Sequence, residues 1–205
     1  MPDLDRLQLH PPSSADLPAL LAFELENRAY FEHWVTARAP SYYQQEAIAA
    51  AIEQAQRERE QDRAYQYLAK LDGQIIGRVN LTGVTRPYFN KAALGYRIGE
   101  RFGGRGYATR VVALLLDEAF GALDLWRLEA TARPQNLGSV AVMQRNGFHQ
   151  YGKSEQAMFF QNAWSDLLYF ERRNTQAMAR DAAFSGSNAT FLLSGATLSQ
   201  RKAAP

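Results

Sequence analysis

The chain has no cysteine. That excludes a disulfide scaffold, a thiolate zinc site and a cysteine nucleophile. Histidine is scarce too. His10, His33 and His149 are too scattered to propose as ligands, and no metal is expected. No run approaches the roughly 18 apolar residues of a membrane span, so no membrane partner is expected. Neither sign of charge dominates: 23 Lys and Arg stand against 21 Asp and Glu, a net +2, and they are interspersed. A dedicated nucleic-acid surface would cluster its cations, so direct nucleic-acid binding is not expected. The first residues, Met-Pro-Asp-Leu-Asp-Arg, are acidic where a signal peptide would be basic. The expectation is a soluble, cytoplasmic protein. There is no internal repeat. The 205 residues, 46% hydrophobic, are enough for one well-packed domain.

What is present is a glycine-rich run, Arg101-Phe102-Gly103-Gly104-Arg105-Gly106-Tyr107-Ala108-Thr109. A strand-like segment over 92–98 precedes it and a helix-like segment over 107–120 follows. Val111, Val112, Leu115, Leu116, Ala119 and Phe120 share one face of that helix. A glycine loop opening a helix presents bare N–H groups at the positive end of a helix dipole. That is a site for a phosphate or pyrophosphate. Three loops share this physics. A P-loop needs Gly-Lys-Ser/Thr, which does not occur here. A dinucleotide fingerprint needs a small third residue where this chain has Thr109. The third pattern, Gln/Arg-x-x-Gly-x-Gly/Ala, is satisfied by Arg101 to Gly106.

Elsewhere the pattern predicts a short strand over 5–9 and a helix over 15–27 capped by Ser13 or Ser14. Tyr30-Phe31-Glu32-His33-Trp34 reads either as core packing or as one wall of an acceptor pocket. A helix is predicted over 44–63. Strands over 65–71 and 74–81 flank Asp72-Gly73, a strong hairpin signal. A strand over 126–132 leads to Pro134-Gln135-Asn136, where Asn136 is a helix N-cap. That helix ends at Asn146-Gly147-Phe148, with Gly147 just past its last turn. Two last strands are predicted near 148–154 and 166–172. Residues 1–174 read as the domain. The stretch 175–205 is rich in Ser, Ala, Gly and Thr and is expected to be a disordered tail.

The glycine pattern resembles the pyrophosphate loop of the GCN5-related N-acetyltransferases (GNAT). The strand over 126–132, Pro134-x-Asn136-x-x-Ser139 and Asn146-Gly147-Phe148 resemble their ribosomal-protein N-terminal branch, the RimJ/RimL type. Trp164-x-Asp166 before the last strand resembles that branch as well. The resemblance implies an α/β fold: a mixed, largely antiparallel sheet of about seven strands, with helices on both faces. It implies splaying between the strands near 94–98 and 126–132. It implies direct transfer of acetyl from acetyl-CoA to an amine. Cofactor contacts would come from Tyr96, Arg97, Ile98, Arg101, Phe102, Gly103, Gly104, Arg105, Gly106, Tyr107, Ala108, Thr109 and Asn136. A backbone N–H within 96–98 would polarise the acetyl carbonyl.

Gly95 in that strand suggests a bulge or a close backbone approach. Glu129 stands where related enzymes place a proposed base, acting directly or through water; otherwise it is a solvent-facing strand carboxylate. Many relatives carry a tyrosine acid where this chain has Met143. Ser139, one turn earlier on the same face, is either a candidate acid or a first-turn helix serine. Trp164 and Asp166 either shape the acceptor side or simply begin a strand. The expected acceptor is a protein N-terminal α-amine, as on a ribosomal protein. The rivals are a small amine (polyamine, amino acid or antibiotic) and a CoA-binding module without turnover. Monomer and homodimer both remain open.

Overall fold

Alternating strands need two covers, and the helices supply one for each face of the sheet. The computed structural model describes residues 4–175. Among them lie seven strands in the order β1-β2-β3-β4-β5-β7-β6. The strands are β1 Leu7–His10, β2 Tyr65–Leu71, β3 Gln74–Thr85, β4 Lys91–Ile98, β5 Arg127–Ala132, β6 His149–Phe160 and β7 Ala163–Arg173. The helices are α1 Leu17–Glu26, α2 Arg28–Trp34, α3 Gln45–Glu60, α4 Tyr107–Phe120 and α5 Leu137–Arg145. Every neighbouring pair is antiparallel except β4 with β5. This is the α/β, mixed and largely antiparallel GNAT fold that the resemblance implied.

Period-two alternation sends side chains to two cores. Tyr67, Ala69, Ile76, Val79 and Leu81 pack with Val111, Val112, Leu115 and Leu116 of α4. Their neighbours Leu68 and Ile75 pack with Leu20, Phe23 and Phe31 of α1 and α2, and with Ile48 and Ile52 of α3. The parallel contact of β4 with β5 is short. Only Lys91, Ala92 and Ala93 pair with Arg127, Leu128 and Glu129. Past Ala93, β4 keeps its partner β3 as far as Ile98, but its register with β5 has ended. The sheet therefore opens beside Tyr96, Arg97 and Ile98, as expected.

Several bounds differ from expectation for identifiable reasons. The first helix begins as α at Leu17 rather than at 15. Pro18 is confined to a first turn, so Ser13 caps a short 3₁₀ turn, Ser14–Asp16, ahead of it. β1 starts two residues late because Leu4–Arg6 form another 3₁₀ turn. The last two strands are much longer than predicted and form one hairpin closed at Gln161-Asn162. Both turn residues are left-handed, with φ of 48° and 61°, the geometry of a primed two-residue turn. Gln-Asn is a weak form of that signal beside Asn-Gly. Gly95 marks a close approach but no bulge. The irregularity in the β3–β4 pairing lies between Thr82 and Thr85. A Cβ at Gly95 would stand 2.8 Å from Asn80 Oδ1, so the glycine makes room for a cross-strand amide. Residues up to Arg173 belong to one compact unit. Apart from Thr175, the expected tail lies outside the described residues.

Candidate active site

The loop after β4 is built to leave amides free. A 3₁₀ turn, Glu100–Phe102, is followed by Gly103–Gly106, and α4 begins at Tyr107. Gly104 and Gly106 have φ of +70° and +83°, a region that costs other residues about 1–2 kcal/mol. Gly106 is the N-cap of α4, and its carbonyl accepts the first helical bond, from the Arg110 N–H at 3.1 Å. The amides of Tyr107, Ala108 and Thr109 precede that bond and have no carbonyl one turn back. Asn27, between α1 and α2, pins the loop's entry. Its Oδ1 accepts from the Glu100 N–H at 2.9 Å while its Nδ2 donates to the Phe23 carbonyl at 2.9 Å.

A cavity of about 310 Å³ opens where this loop, the free edge of β4, α2 and α5 meet. Its wall includes Tyr96, Arg97, Ile98, Phe102, Gly103, Gly104, Gly106, Ala108, Thr109, Asn136 and Ser139. Eleven of the fifteen residues named from the sequence are thus brought together. The other four do not line it. Tyr107 is buried in the core, with its ring edge-on to Phe102. Arg101 reaches Glu26 at 3.6 Å on the surface. Arg105 is exposed. Glu129 is held between Lys91 and Arg127, each at 2.8 Å.

Asn136 fulfils its capping role: its side chain accepts from the Ser139 N–H at 3.1 Å. The Tyr30–Trp34 cluster divides between core and cavity. Phe31 is core, while Tyr30, Phe31, Trp34 and Val35 also form the cavity's second wall. The Ser139 hydroxyl stands beside the Tyr96 phenol. Burial raises the Tyr96 pKa above the ordinary tyrosine value, the Ser139 hydroxyl acts against that, and nearby Tyr30 adds to it. At neutral pH Tyr96 is therefore a neutral hydrogen-bond donor. Met143, at the position where a tyrosine was sought, is buried in the core. A phenol reaches the cavity from β4 instead.

Behind the α2 wall, charged groups gather around Glu24. Glu24 is fully buried and paired with Arg78. Tyr42 donates to Glu24 at 3.4 Å and accepts from Arg78 at 2.7 Å. The Arg97 guanidinium lies 5.2 Å from the Phe31 ring centre, with its Nη1 3.9 Å from Glu24 Oε2. Burial, then neighbouring Arg38, then Arg78 pull the Arg97 pKa below its ordinary value against the pull of Glu24. Arg133 stacks on Phe160 at 3.9 Å and donates to the Trp34 carbonyl at 3.3 Å. It ties the end of β6 to α2. Trp164 is 62% exposed and edge-on to Phe159 near the hairpin end, and Asp166 binds Lys153 and the Gln156 N–H across the same hairpin. Neither of the two lines the cavity.

Sequence reasoning missed Gly138, Val142 and Arg145, which face the cavity from α5. Their helical spacing around Ser139 was an available signal. Asn27, Glu24 and Arg38 gave none, since their roles depend on long-range packing. Among the described residues, no group of His, Asp and Glu could hold a metal ion, and no helix is long and apolar enough to cross a membrane.

Comparison with known proteins bears on this arrangement. The family model "Acetyltransferase (GNAT) domain" matches residues 6–149. "Probable N-acetyltransferase YjcK" of Bacillus subtilis (strain 168) is 32% identical over 162 residues, covering 78% of this chain and 90% of that protein. The "[Ribosomal protein uS5]-alanine N-acetyltransferase" of Escherichia coli (strain K12) is 25% identical over 165 residues, covering 79% and 84%. Among solved structures, the ribosomal-protein-S5-alanine acetyltransferase from Vibrio fischeri superposes with a TM-score of 0.79. It is 23% identical and covers 82% of this chain and 93% of that one. Mycobacterium smegmatis RimJ in complex with CoA-disulfide has a TM-score of 0.77 at 26% identity, covering 83% of each chain.

Proposed function

We propose, for a chain that belongs to the GNAT family and is an N-acetyltransferase, that it acetylates protein N-terminal α-amines with acetyl-CoA as cosubstrate. The observation that carries this is the single cavity joining free loop amides to the open edge of β4 and the Ser139 face of α5. The amides at 106–109 would take the pyrophosphate. Asn136, already the cap of α5, would contact the pantetheine arm. An unpaired N–H on the β5 side of β4, within 96–98, would polarise the acetyl carbonyl. The neutral acceptor nitrogen attacks the carbonyl carbon and gives up one proton to water, the carbon–sulfur bond breaks, and the thiolate takes up a proton. Ser139, beside the neutral phenol of Tyr96, is the group proposed to supply it. Glu129 lies outside the cavity wall, so as a base it would act through water. A ribosomal acceptor, as in the name of the E. coli relative, would place the reaction in the cytoplasm.

The test is an acetylation panel of synthetic peptides, matched peptides with blocked α-amines, polyamines and free amino acids, read by mass spectrometry. The expected result is transfer to free α-amines and none to the blocked peptides. Transfer confined to the small amines would overturn the acceptor assignment. Stoichiometric acetyl-CoA binding without transfer to any amine would favour the non-catalytic module.

A further inference from the structure

Arg97, the charged lining residue nearest α2, has a consequence for the acceptor. Around Glu24 the fold gathers three guanidinium groups, of Arg38, Arg78 and Arg97, against one carboxylate. Arg78 takes that carboxylate, which is fully buried, and also bonds Tyr42 and Gln66. Arg38 is spent on the face of Tyr42, 3.9 Å from its ring centre. Arg28 and Glu32 neutralise each other beside Tyr43 at 2.9 Å. Arg97 is left over. Among the described residues no hydrogen-bond acceptor is within reach of its guanidinium. The nearest carboxylate oxygen, Glu24 Oε2, is 3.9 Å from Arg97 Nη1, an ion-pair distance too long for a hydrogen bond, while Arg78 holds the other oxygen, Oε1. Yet Arg97 is largely buried, with a side-chain exposure of 23%, and it lines the cavity on the α2 side.

A largely buried guanidinium has five donors and desolvates at a cost unless it meets an anion. The planar fork matches a carboxylate in two-point geometry. Phe31 fixes the plane of the group from one side. The glycine-loop amides would provide for the cosubstrate's pyrophosphate, so the unused donors of Arg97 are open to the other substrate.

Resting on the N-acetyltransferase reading above, we propose that Arg97 is a specificity residue that binds a carboxylate on the acceptor, the acidic side chain of a residue at or just after the acetylated N-terminus. Arg38 and Arg78 keep the local field positive, so an acceptor with a second cation near its amine is rejected. The acceptor class is thereby narrowed from N-termini in general to acidic N-termini.

The experiment compares kcat/KM for peptide pairs that differ only as Glu against Gln, or Asp against Asn, at positions one to three. A lysine-bearing peptide completes the set. Wild type is expected to favour the acidic member of at least one pair by about 10- to 100-fold, the range of a charge-assisted hydrogen bond. The preference should lie in KM for the peptide. Arg97→Gln should abolish the acidic-over-neutral ratio, and Arg97→Lys should restore part of it. Equal rates for acidic and neutral peptides, or a preference for lysine, refute the proposal while leaving the acetyltransferase reading intact. A loss confined to the acetyl-CoA KM would mean that Arg97 serves the cosubstrate, and refutes it too. If Arg97→Gln does not fold, the wild-type pairs alone decide. If only small amines are acetylated, the acceptor reading fails, and an amino acid against its carboxamide applies the same test to Arg97.

Discussion

Gly106→Ala separates backbone strain from ligand binding. Gly106 has φ of +83°, and a Cβ there would meet only Leu4 Cδ1, at 3.9 Å. The free protein therefore suffers no clash, only the left-handed cost of about 1–2 kcal/mol. At about 2–4 °C per kcal/mol for a chain of this size, Tm should fall by about 2–8 °C. Acetyl-CoA at about 100 times its Kd should raise the wild-type Tm by about 5–11 °C, from a stabilisation of about 2.7 kcal/mol. A methyl group in front of the loop amides keeps the pyrophosphate from at least two of them. At about 1.5–3 kcal/mol for each bond to a charged group, the loss exceeds the whole stabilisation. The acetyl-CoA shift should all but vanish. Gly73 supplies the control. It has φ of +82° with nothing within 4 Å of a built Cβ, and it belongs to the β2–β3 turn rather than the cavity wall. Gly73→Ala should lower Tm by a similar amount and keep the full acetyl-CoA shift. The assay is thermal denaturation with acetyl-CoA, NAD and ATP. A full acetyl-CoA shift in Gly106→Ala, or an equal wild-type shift with NAD, refutes the loop assignment.

Three other substitutions or truncations test separate parts of the account. Glu129→Gln should cost less than tenfold in kcat/KM with a pH-independent deficit, because the carboxylate is committed to Lys91 and Arg127. A deficit of about 10²–10⁴-fold that shrinks as pH rises would instead identify it as the base. Asp16 accepts from Lys70 at 2.5 Å and from the Ser13 N–H at 2.9 Å. Burial alone would raise its pKa, but these bonds hold it below the ordinary carboxylate value. A depressed folded value stabilises the fold above the unfolded pKa, and that stabilisation is lost as pH falls through the folded one. Asp16→Asn should therefore lose about 1–3 kcal/mol at pH 7, and its Tm gap to wild type should close in acid; a gap independent of pH would contradict the argument. Deleting residues 178–205 should leave kcat/KM within about twofold, since every cavity-lining residue precedes Arg173; an insoluble or inactive product would move the domain boundary.

The glycine-loop half of the proposed site was legible because it is local. Arg101 to Thr109 carry their geometry in their own glycines, and Asn136 to Ser139 carry theirs in a cap. The helix Tyr107–Phe120 was readable to the residue from its apolar face. The acceptor half was not legible, because it is assembled from distant chain segments. Glu24 and Arg78 are 54 positions apart, and Arg133 meets the Trp34 carbonyl across 99. No spacing rule joins such residues. Tyr96 was named only as a strand contact. Its partnership with Ser139 depends on the β4–β5 separation, which brings a phenol from a strand to the place where a helix tyrosine was sought. The long β6–β7 hairpin was hidden by a Gln-Asn turn without the usual glycine.

The charges divide along the sheet in a way that bears on how the amine loses its proton. Near Glu129 every charge is paired: Lys91 and Arg127 hold Glu129, and Arg127 and Arg173 hold Glu171. Near Arg97 they are not, and the surplus is positive. A positive field disfavours the ammonium form of an incoming amine. An α-amine begins near 7.7–8.0, so each unit of depression yields about ten times more of the neutral form at pH 7. On the proposed reaction, the cavity thus favours the reactive form of the acceptor by its field, and a base in direct contact becomes unnecessary. An acidic residue beside that amine would ordinarily undo the effect by raising its pKa. Arg97 prevents this, because the carboxylate it pairs with no longer acts on the nitrogen. Acceptor selection and amine activation then rest on the same surplus charge, and Glu129 keeps the neighbouring stretch of sheet from adding to it.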